Sequence, residues 1–260
     1  MPTTTSTRAS LAHRILAAGA LALLLPATAV PAAPADWLAG KTVRGNGLVK
    51  QETRTPGHFD AVELSLAGNL ELRLGDSESV TILADENVLP LIETVLENGS
   101  LKIRTNARNG NIALSRLKIV VQARNIERLV VGGSGSIEAA SLRAPRLQID
   151  IGGSGSVTVG NVACDALAVS IGGSGNFKGA GHAATLSVAI DGSGSVQAGQ
   201  LSANDVHVNS AGSGQAVVWA RRTLSVSLAG SGGVDYYGDP QVSTSAHGSG
   251  GVRRIGAAPR

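Results

Sequence analysis

The chain of 260 residues carries 22 basic and 19 acidic residues, has a single cysteine, and contains only 2% aromatic residues. Its charges are scattered rather than gathered in runs, which argues against a nucleic-acid partner, since such partners are bound by concentrated basic surfaces with stacking aromatic rings. Cys164 cannot form a disulfide within the chain, so we expect the fold to depend on its hydrophobic core.

The first 35 residues have the features of a secretory signal peptide followed by a short linker. Arg8 and Arg14 precede an apolar stretch, Ile15–Leu25. Small residues suited to cleavage follow at Ala29, Ala32 and Ala35. The apolar stretch is too short for a stable membrane anchor. We therefore predict an exported bacterial protein, periplasmic or on the cell surface, with no transmembrane segment in the mature chain.

Residues 36–127 are less regular and predict an N-terminal cap with the first coils of a larger array. Apolar residues alternate over 62–66 and again over 70–74, with Gly68-Asn69 between them, which is typical of two strands joined by a turn. Glu86–Ile92 is the one stretch that favours a short helix, and Pro90 interrupts it. Asn98-Gly99 then predicts a β-hairpin with a type I′ turn.

The rest of the chain is an internal repeat. The triplet Gly-Ser-Gly recurs at intervals of 18–20 residues. Its serines are Ser134, Ser154, Ser174, Ser193, Ser213, Ser231 and Ser249. A fixed period of this length indicates stacked structural units, none of which can bury its apolar face alone.

Each repeat predicts a strand, a Gly-Ser-Gly corner, a second strand and a looser return. Apolar residues stand seven, five and three positions before most of the serines, separated by small or polar residues, and this alternation is typical of a half-buried strand. In four of the repeats these apolar residues are Leu147, Ile149 and Ile151; Leu167, Val169 and Ile171; Leu186, Val188 and Ile190; and Leu224, Val226 and Leu228.

These patterns predict an all-β fold, a right-handed parallel β-helix (a single-stranded solenoid) with about 18–20 residues per coil. We expect the β-helix domain to cover residues 36–252, with a C-terminal tail at 253–260. An antiparallel meander or a propeller is the alternative, but a propeller blade would need about 40–45 residues.

The glycine-rich corners do not predict a cofactor or metal site. Phosphate-binding loops open a helix, whereas Gly132-Gly133-Ser134-Gly135 opens a strand. A calcium-binding repeat would need a period of nine residues and a carboxylate where Val157 stands. We therefore expect no cofactor and no metal.

Three ionisable residues could gather as acid–base groups on the strands that precede the corners: Asp150, Asp205 and His207. Asp150 and His207 should be three coils apart, about 14 Å at the strand spacing of a sheet, which is too far for acid–base partnership. The serines have no base at a fixed offset. We therefore predict that the protein has no catalytic residues and is not an enzyme.

A row of small residues gives way to aromatic ones near the C-terminus. Six positions after successive serines stand Ala140, Gly160, Ala180, Gly199, Trp219 and Tyr237, with Tyr236 beside the last. Trp219, Tyr236 and Tyr237 are thus candidates for contact with a ligand or partner, because exposed aromatic rings can pack on a sugar or a protein surface. In the alternative, which we favour, they close the C-terminal end of the core.

The order of motifs resembles one family of bacterial exported proteins. Phe59-Asp60-Ala61-Val62-Glu63-Leu64, Leu89-Pro90-Leu91-Ile92-Glu93 and Asn98-Gly99-Ser100-Leu101-Lys102-Ile103 precede the Gly-Ser-Gly array. This order is similar to that of the putative auto-transporter adhesin, head GIN domain family. The resemblance covers about residues 43–250 and implies a β-helical, adhesin-like protein, with no agreed catalytic residues to carry over.

The prediction for function is an adhesin-like binding or structural module of the bacterial cell envelope without catalytic activity. A cell-surface glycan or an envelope protein is the expected kind of partner, and oligomerisation is compatible with the pattern. Two alternatives stay open: a carbohydrate-active β-helix enzyme, and a partner protein in envelope stress or signalling.

Overall fold

The computed structural model describes residues 42–106, 112–113 and 116–259. The predicted signal peptide lies outside the described residues. The strands of the described chain, in order, are β1 Val43–Arg44, β2 Val49–Arg54, β3 Ala61–Ser65, β4 Asn69–Leu74, β5 Ser79–Asp85, β6 Ile92–Glu97, β7 Ser100–Thr105, β8 Ile112–Ala113, β9 Lys118–Ala123, β10 Arg128–Gly133, β11 Ser136–Ala139, β12 Leu142–Gly153, β13 Ser156–Gly173, β14 Asn176–Gly192, β15 Ser195–Gly212, β16 Gln215–Gly230, β17 Gly233–Tyr237, β18 Gln241–His247 and β19 Gly251–Gly256.

The Gly-Ser-Gly array forms a parallel β-solenoid in which each period is one coil. Strands β12 to β16 pair in parallel, each with the next. At the corners Gly153 pairs with Gly173, and the amide of Ser174 donates to the carbonyl of Gly153 at 2.9 Å. The corner serines therefore stack in one line, as the repeat predicts.

The return of each coil is more regular than the sequence predicts. Strands β13 to β16 each run for 16–18 residues, from one corner to the next. The expected loose return is itself paired between coils, as between Val162 and Gly181 and between Cys164 and Ala183. Neighbouring coils supply hydrogen-bond partners along most of the return, so its backbone stays extended despite its small residues.

The alternating apolar residues point inward and form one continuous core. Ile151, Ile171 and Ile190 stack on successive coils and are at most 2% exposed. Ser170, which lies between the buried Val169 and Ile171 on the same strand, is exposed. The inward register predicted from the sequence is therefore confirmed. Phe177 is also fully buried.

Near the N-terminus the order of coils in space differs from their order in the chain. Strand β3 pairs in parallel with β10 on one side and with β7 on the other. Strand β4 pairs in the same way with β11 and β9. The predicted early coil thus exists, but the chain leaves it, builds a further coil from β7 and β9 outside it, and then returns to start the array.

Antiparallel strands cover this outer coil. Strand β5 pairs with β9, β2 pairs with β5, and β6 pairs with β7. The hairpin between β6 and β7 has Asn98 and Gly99 at φ 51° and 76°, which confirms the type I′ turn.

The predicted helix at Glu86–Ile92 is wrong. Only a three-residue 3-10 turn forms, at Leu89–Leu91, and Ile92 is already extended. Pro90 is compatible with a first helical turn, but the buried side chain of Ile92 belongs to strand β6, so the chain extends there.

Candidate ligand-binding groove

A groove runs along the outer side of the strand segments that follow the corners. Its volume is about 1040 Å³. Two outward rows of side chains line it, four and six positions after the corner serines, and the chain at 255–259 forms a further wall. The residues that line it include Thr158, Gly160, Lys178, Ala180, Gln197, Gly199, Gln200, Val217, Tyr237 and Ile255.

The floor of the groove is formed by residues that have little or no side chain. Gly160, Ala180 and Gly199 occupy the row six positions after their serines. A Cβ on Gly160 would lie 2.8 Å from the carbonyl oxygen of Ala140, so the backbones of the two coils approach too closely there for a side chain. The row of small residues is therefore what makes the surface concave.

An irregularity in the coil spacing deepens the groove near the C-terminus. Ala198 pairs with Val218, but the next pair along joins Ser202 to Trp219. Residues 199–201 thus have no partner in β16 and form a bulge, as expected where a longer coil meets a shorter one. The bulge places Gly199 and Gln200 at the groove.

Trp219 and Tyr237 are brought together as the sequence predicts. They are register partners on adjacent coils, and both side chains are half-buried. Tyr237 lines the groove: a Cβ on Gly199 would lie 3.2 Å from its Cε2 atom, and a Cβ on Gly256 would lie 3.3 Å from its Cδ1 atom. The tyrosine ring therefore lies between two glycines and has one side toward the groove.

Tyr236 belongs to a different environment. It pairs with the fully buried Val218, and its half-buried ring packs against the hydrophobic core. Successive residues of a strand point to opposite faces, so Tyr236 points inward while Tyr237 points outward. The three aromatic residues thus do not form one cluster.

The polar lining of the groove is not among the candidates predicted from the sequence. Lys178 and Gln197 are exposed, and Gln200 stands in the bulge. Their signal in the sequence is the polar row four positions after the serines, next to the row of small residues. The polar row and the row of small residues together indicate a groove, because both rows lie on the outward face of the same strands.

Among the described residues that line the groove, Lys178 is the basic one. It has no ion-pair partner among the described residues, whereas Asp235, in the same row, is held by Arg253 at 2.9 Å. An ammonium group in a groove that amide side chains and a tyrosine ring also line can donate hydrogen bonds to hydroxyl or anionic oxygens of a ligand.

The ionisable residues considered for catalysis lie elsewhere and are held in ion pairs or exposed. Asp150 accepts hydrogen bonds from Arg128 at 2.8 and 3.0 Å. Asp205 is bonded by Arg222 and Thr223, which lower the pKa of its carboxyl, the Arg222 hydrogen bond having the larger effect. His207 is exposed on the same face.

No two of Asp150, Asp205 and His207 are arranged as an acid–base pair. The row of His207 contains Ser187, Ala168 and Gln148, whereas Asp150 aligns with Asn209, so Asp150 and His207 stand in different rows as well as three coils apart. Asp205 is near His207, but its bonds to Arg222 stabilise the carboxylate and make it a weak base.

Cys164 is buried and lies against a second recess, of about 520 Å³. Burial, followed by the charge of Asp165, raises the pKa of its thiol to about 11. Within the described ranges, no group of three His, Cys, Asp or Glu side chains is placed to hold a metal ion.

Comparison with known proteins agrees with the geometry. The model of the putative auto-transporter adhesin, head GIN domain family matches residues 58–240. The chain belongs to this family. No curated protein matches the sequence. In the part of the chain that the structure describes, no helix is long and apolar enough to span a membrane.

Solved structures share the fold of this family member. An adhesin-like protein from Bacteroides fragilis aligns with a TM-score of 0.78 and 22% identity, covering 82% of this chain and 100% of the other. A protein from Parabacteroides distasonis, described as lipid-binding, aligns with a TM-score of 0.67 and 25% identity, covering 83% of this chain and 100% of the other. An adhesin-like protein from Parabacteroides merdae aligns with a TM-score of 0.66 and 18% identity, covering 82% of this chain and 99% of the other.

Proposed function

We propose that the protein is an exported, non-catalytic binding module of the bacterial cell envelope that recognises a saccharide in the groove beside Tyr237. Membership of an adhesin-like family supports a binding role. The observation that carries the saccharide assignment is a half-buried tyrosine ring in a groove that amide and ammonium donors also line. A sugar ring offers an apolar face to an aromatic side chain and hydroxyl groups to polar ones.

The shape of the groove suits an extended ligand better than a small enclosed one. Thr158, Lys178 and Gln197 follow one another on successive coils. Side chains on neighbouring coils are about 4.8 Å apart, so one row can contact successive units of a chain-like ligand. Several weak contacts of this kind favour a polymer over a monosaccharide.

The experiment is a glycan array with the purified protein, followed by titration of the best saccharide against variants. Tyr237→Ala and Lys178→Ala should weaken binding at least tenfold. Lys50→Ala, an exposed lysine on the N-terminal cap, is the matched control and should bind as the parent protein does. Equal binding by the parent and Tyr237→Ala would contradict the assignment of the site.

A lipid ligand is the second candidate. The Parabacteroides distasonis relative is described as lipid-binding, and this groove has apolar walls at Val217 and Ile255. Flotation with phospholipid vesicles is therefore the second arm of the experiment. Binding to vesicles, lost in Tyr237→Ala, together with no binding on the array, would replace the saccharide with a lipid.

A further inference from the structure

The C-terminal end of the solenoid is open. Strand β18 pairs with β16 on one side, and β19 pairs with β17. Among the described residues no strand pairs with their outer edges. Every residue of β18 is exposed. This end therefore presents a row of free backbone donors and acceptors.

The interior of the coil is exposed at the same place. Val242, Thr244 and Ala246 continue the buried rows of Leu224, Val226 and Leu228. Leu224 is 1% exposed, whereas Val242, its register partner in the last coil, is 43% exposed. Inward positions of a solenoid are normally covered by a further coil or a cap.

The opposite end is covered. Strands β5 and β2 lie beyond β9, and β6 lies beyond β7. Val88 and Ile92 in this cap are buried at 1% and 2% exposure. A second copy therefore cannot continue the solenoid head to tail without displacing the cap, and its matching open surface is its own C-terminal end.

The edge of strand β18 has few of the features that prevent pairing. Strand β18 contains no charged residue other than His247 at its end, and no proline. Natural edge strands are usually guarded by lysines, prolines or bulges. The arginines of β19 are engaged within their own chain: Arg253 with Asp235 at 2.9 Å, and Arg254 with the carbonyl of Gly238 at 2.7 Å.

We propose that this end is an interface between two copies of the chain, joined end to end by antiparallel pairing of β18 with β18 of the second copy. A two-fold axis at Thr244 places Val242 opposite Ala246 of the second copy, so both remain inward. Such an interface is isologous and closed, because each copy uses the one end that is open in the described part of the solenoid. The inference is independent of the saccharide site.

The first test measures the mass of the purified protein by light scattering and by sedimentation over a range of concentrations. The parent protein should be a dimer that dissociates on dilution. Thr244→Lys places two ammonium groups together at the two-fold axis and should give a monomer. Ser245→Lys, on the outward face of the same strand, is the matched control and should remain a dimer.

A cross-link gives an independent readout that does not need a destabilising substitution. Thr244→Cys should form a disulfide-linked dimer under mild oxidation, because the two new thiols would face each other across the axis, and the natural Cys164 is buried. Ser225→Cys, on the exposed face one coil earlier, should stay monomeric on a non-reducing gel.

Three results would overturn the proposal. The first is a parent protein that is monomeric at every concentration. The second is a mass that grows without limit, which indicates open-ended assembly. The third is a dimer that persists in Thr244→Lys while Thr244→Cys fails to cross-link, which places the contact on another surface.

Discussion

The γ2 methyl of Ile171 occupies the space in which a side chain on Gly194 would begin, because a Cβ on Gly194 would lie 2.6 Å from it. The same relationship joins Ile190 to Gly214, at 2.5 Å. In these coils the second glycine of the triplet thus leaves room for the isoleucine that precedes the corner of the preceding coil. This contact links the two most regular features of the repeat.

Gly194→Ala is expected to destabilise the protein. The new methyl would meet Ile171 and also the backbone carbonyl of Gly175, which would be 2.8 Å away. Overpacking of this kind costs about 1–3 kcal/mol. Gly172→Ala, where a Cβ would have nothing within 4 Å, is the control and should change the free energy of unfolding by less than about 0.5 kcal/mol. Urea titration measures both, and equal effects would contradict the packing argument.

Ile171→Asp should prevent folding of the array, whereas Ser170→Asp should be tolerated. Ile171 is 2% exposed, and an aspartate there would be a buried charge without a partner. Ser170 is its exposed neighbour, so a change there should stay within about 0.5 kcal/mol. Circular dichroism and thermal melting distinguish the two variants. A similar melting temperature for both would mean that the inward register is wrong.

Ser210→Val should stabilise the protein. Ser210 stands in the inward row between Ile190 and Leu228, is 6% exposed, and its hydroxyl has no hydrogen-bond partner among the described residues. Replacing an unsatisfied buried hydroxyl with the two methyl groups of valine should raise the free energy of unfolding by about 1 kcal/mol. Ser187→Val, on the exposed face, is the control. A lower melting temperature for Ser210→Val would show that the hydroxyl is needed.

The thiol of Cys164 should react slowly in the folded protein. Its pKa of about 11 lies above the ordinary value of 9.0, and the thiolate is the reactive form. Near neutral pH the thiolate fraction is then about 100-fold smaller than in the unfolded chain. Labelling with a maleimide, with and without urea, measures the ratio of rates. Fast labelling of the native protein would contradict the burial of this side chain.

The same pKa shift predicts how stability changes at alkaline pH. The protonated thiol is favoured in the folded state, so its contribution is fully present below pH 9 and is lost as the pH rises toward 11. Cys164→Ala should remove this part of the pH dependence. Unfolding by urea at several pH values, for the parent and the variant, gives the comparison.

Replacing both Trp219 and Tyr237 with alanine distinguishes a role of the two rings in ligand binding from a role in the hydrophobic core. If the pair forms a recognition surface, ligand binding should be lost while the melting temperature changes little. If the two rings contribute mainly core burial, each truncation should cost about 3–5 kcal/mol. Both rings are half-buried, so we expect a smaller loss of stability than that and a clear loss of binding. Tyr236→Ala, on the inward side, should cost more stability than Tyr237→Ala.

Most of the solenoid could be predicted from residue types at fixed intervals. The alternation that ends at Ile151, Ile171 and Ile190 indicates which side chains point inward, and the Gly-Ser-Gly triplets indicate the corners. These features depend on neighbours along the chain and on one repeated contact between coils. Ser210 interrupts the same row without changing the register, because pairing on both sides of its coil holds it in place.

The groove could be predicted only in part. Trp219 and Tyr237 share a position in the repeat and are register partners, as expected, but of the two it is Tyr237 that lines the groove. The separation of Tyr236 from them follows from strand alternation, which the sequence also contains. The contribution of Gln200 depends on the bulge at 199–201, and a bulge is decided by how coils of unequal length fit together.

The sequence by itself determined the class of fold, the inward register and the family, because a periodic pattern is repeated often enough to exclude other arrangements. Only the tertiary structure decided that β3 lies between β7 and β10, that Tyr237 lies beside Gly199, and that the last described coil is open. Each of these depends on which distant segments stack on one another. Stacking is set by the packing of the whole core and leaves no signal at fixed spacing along the chain.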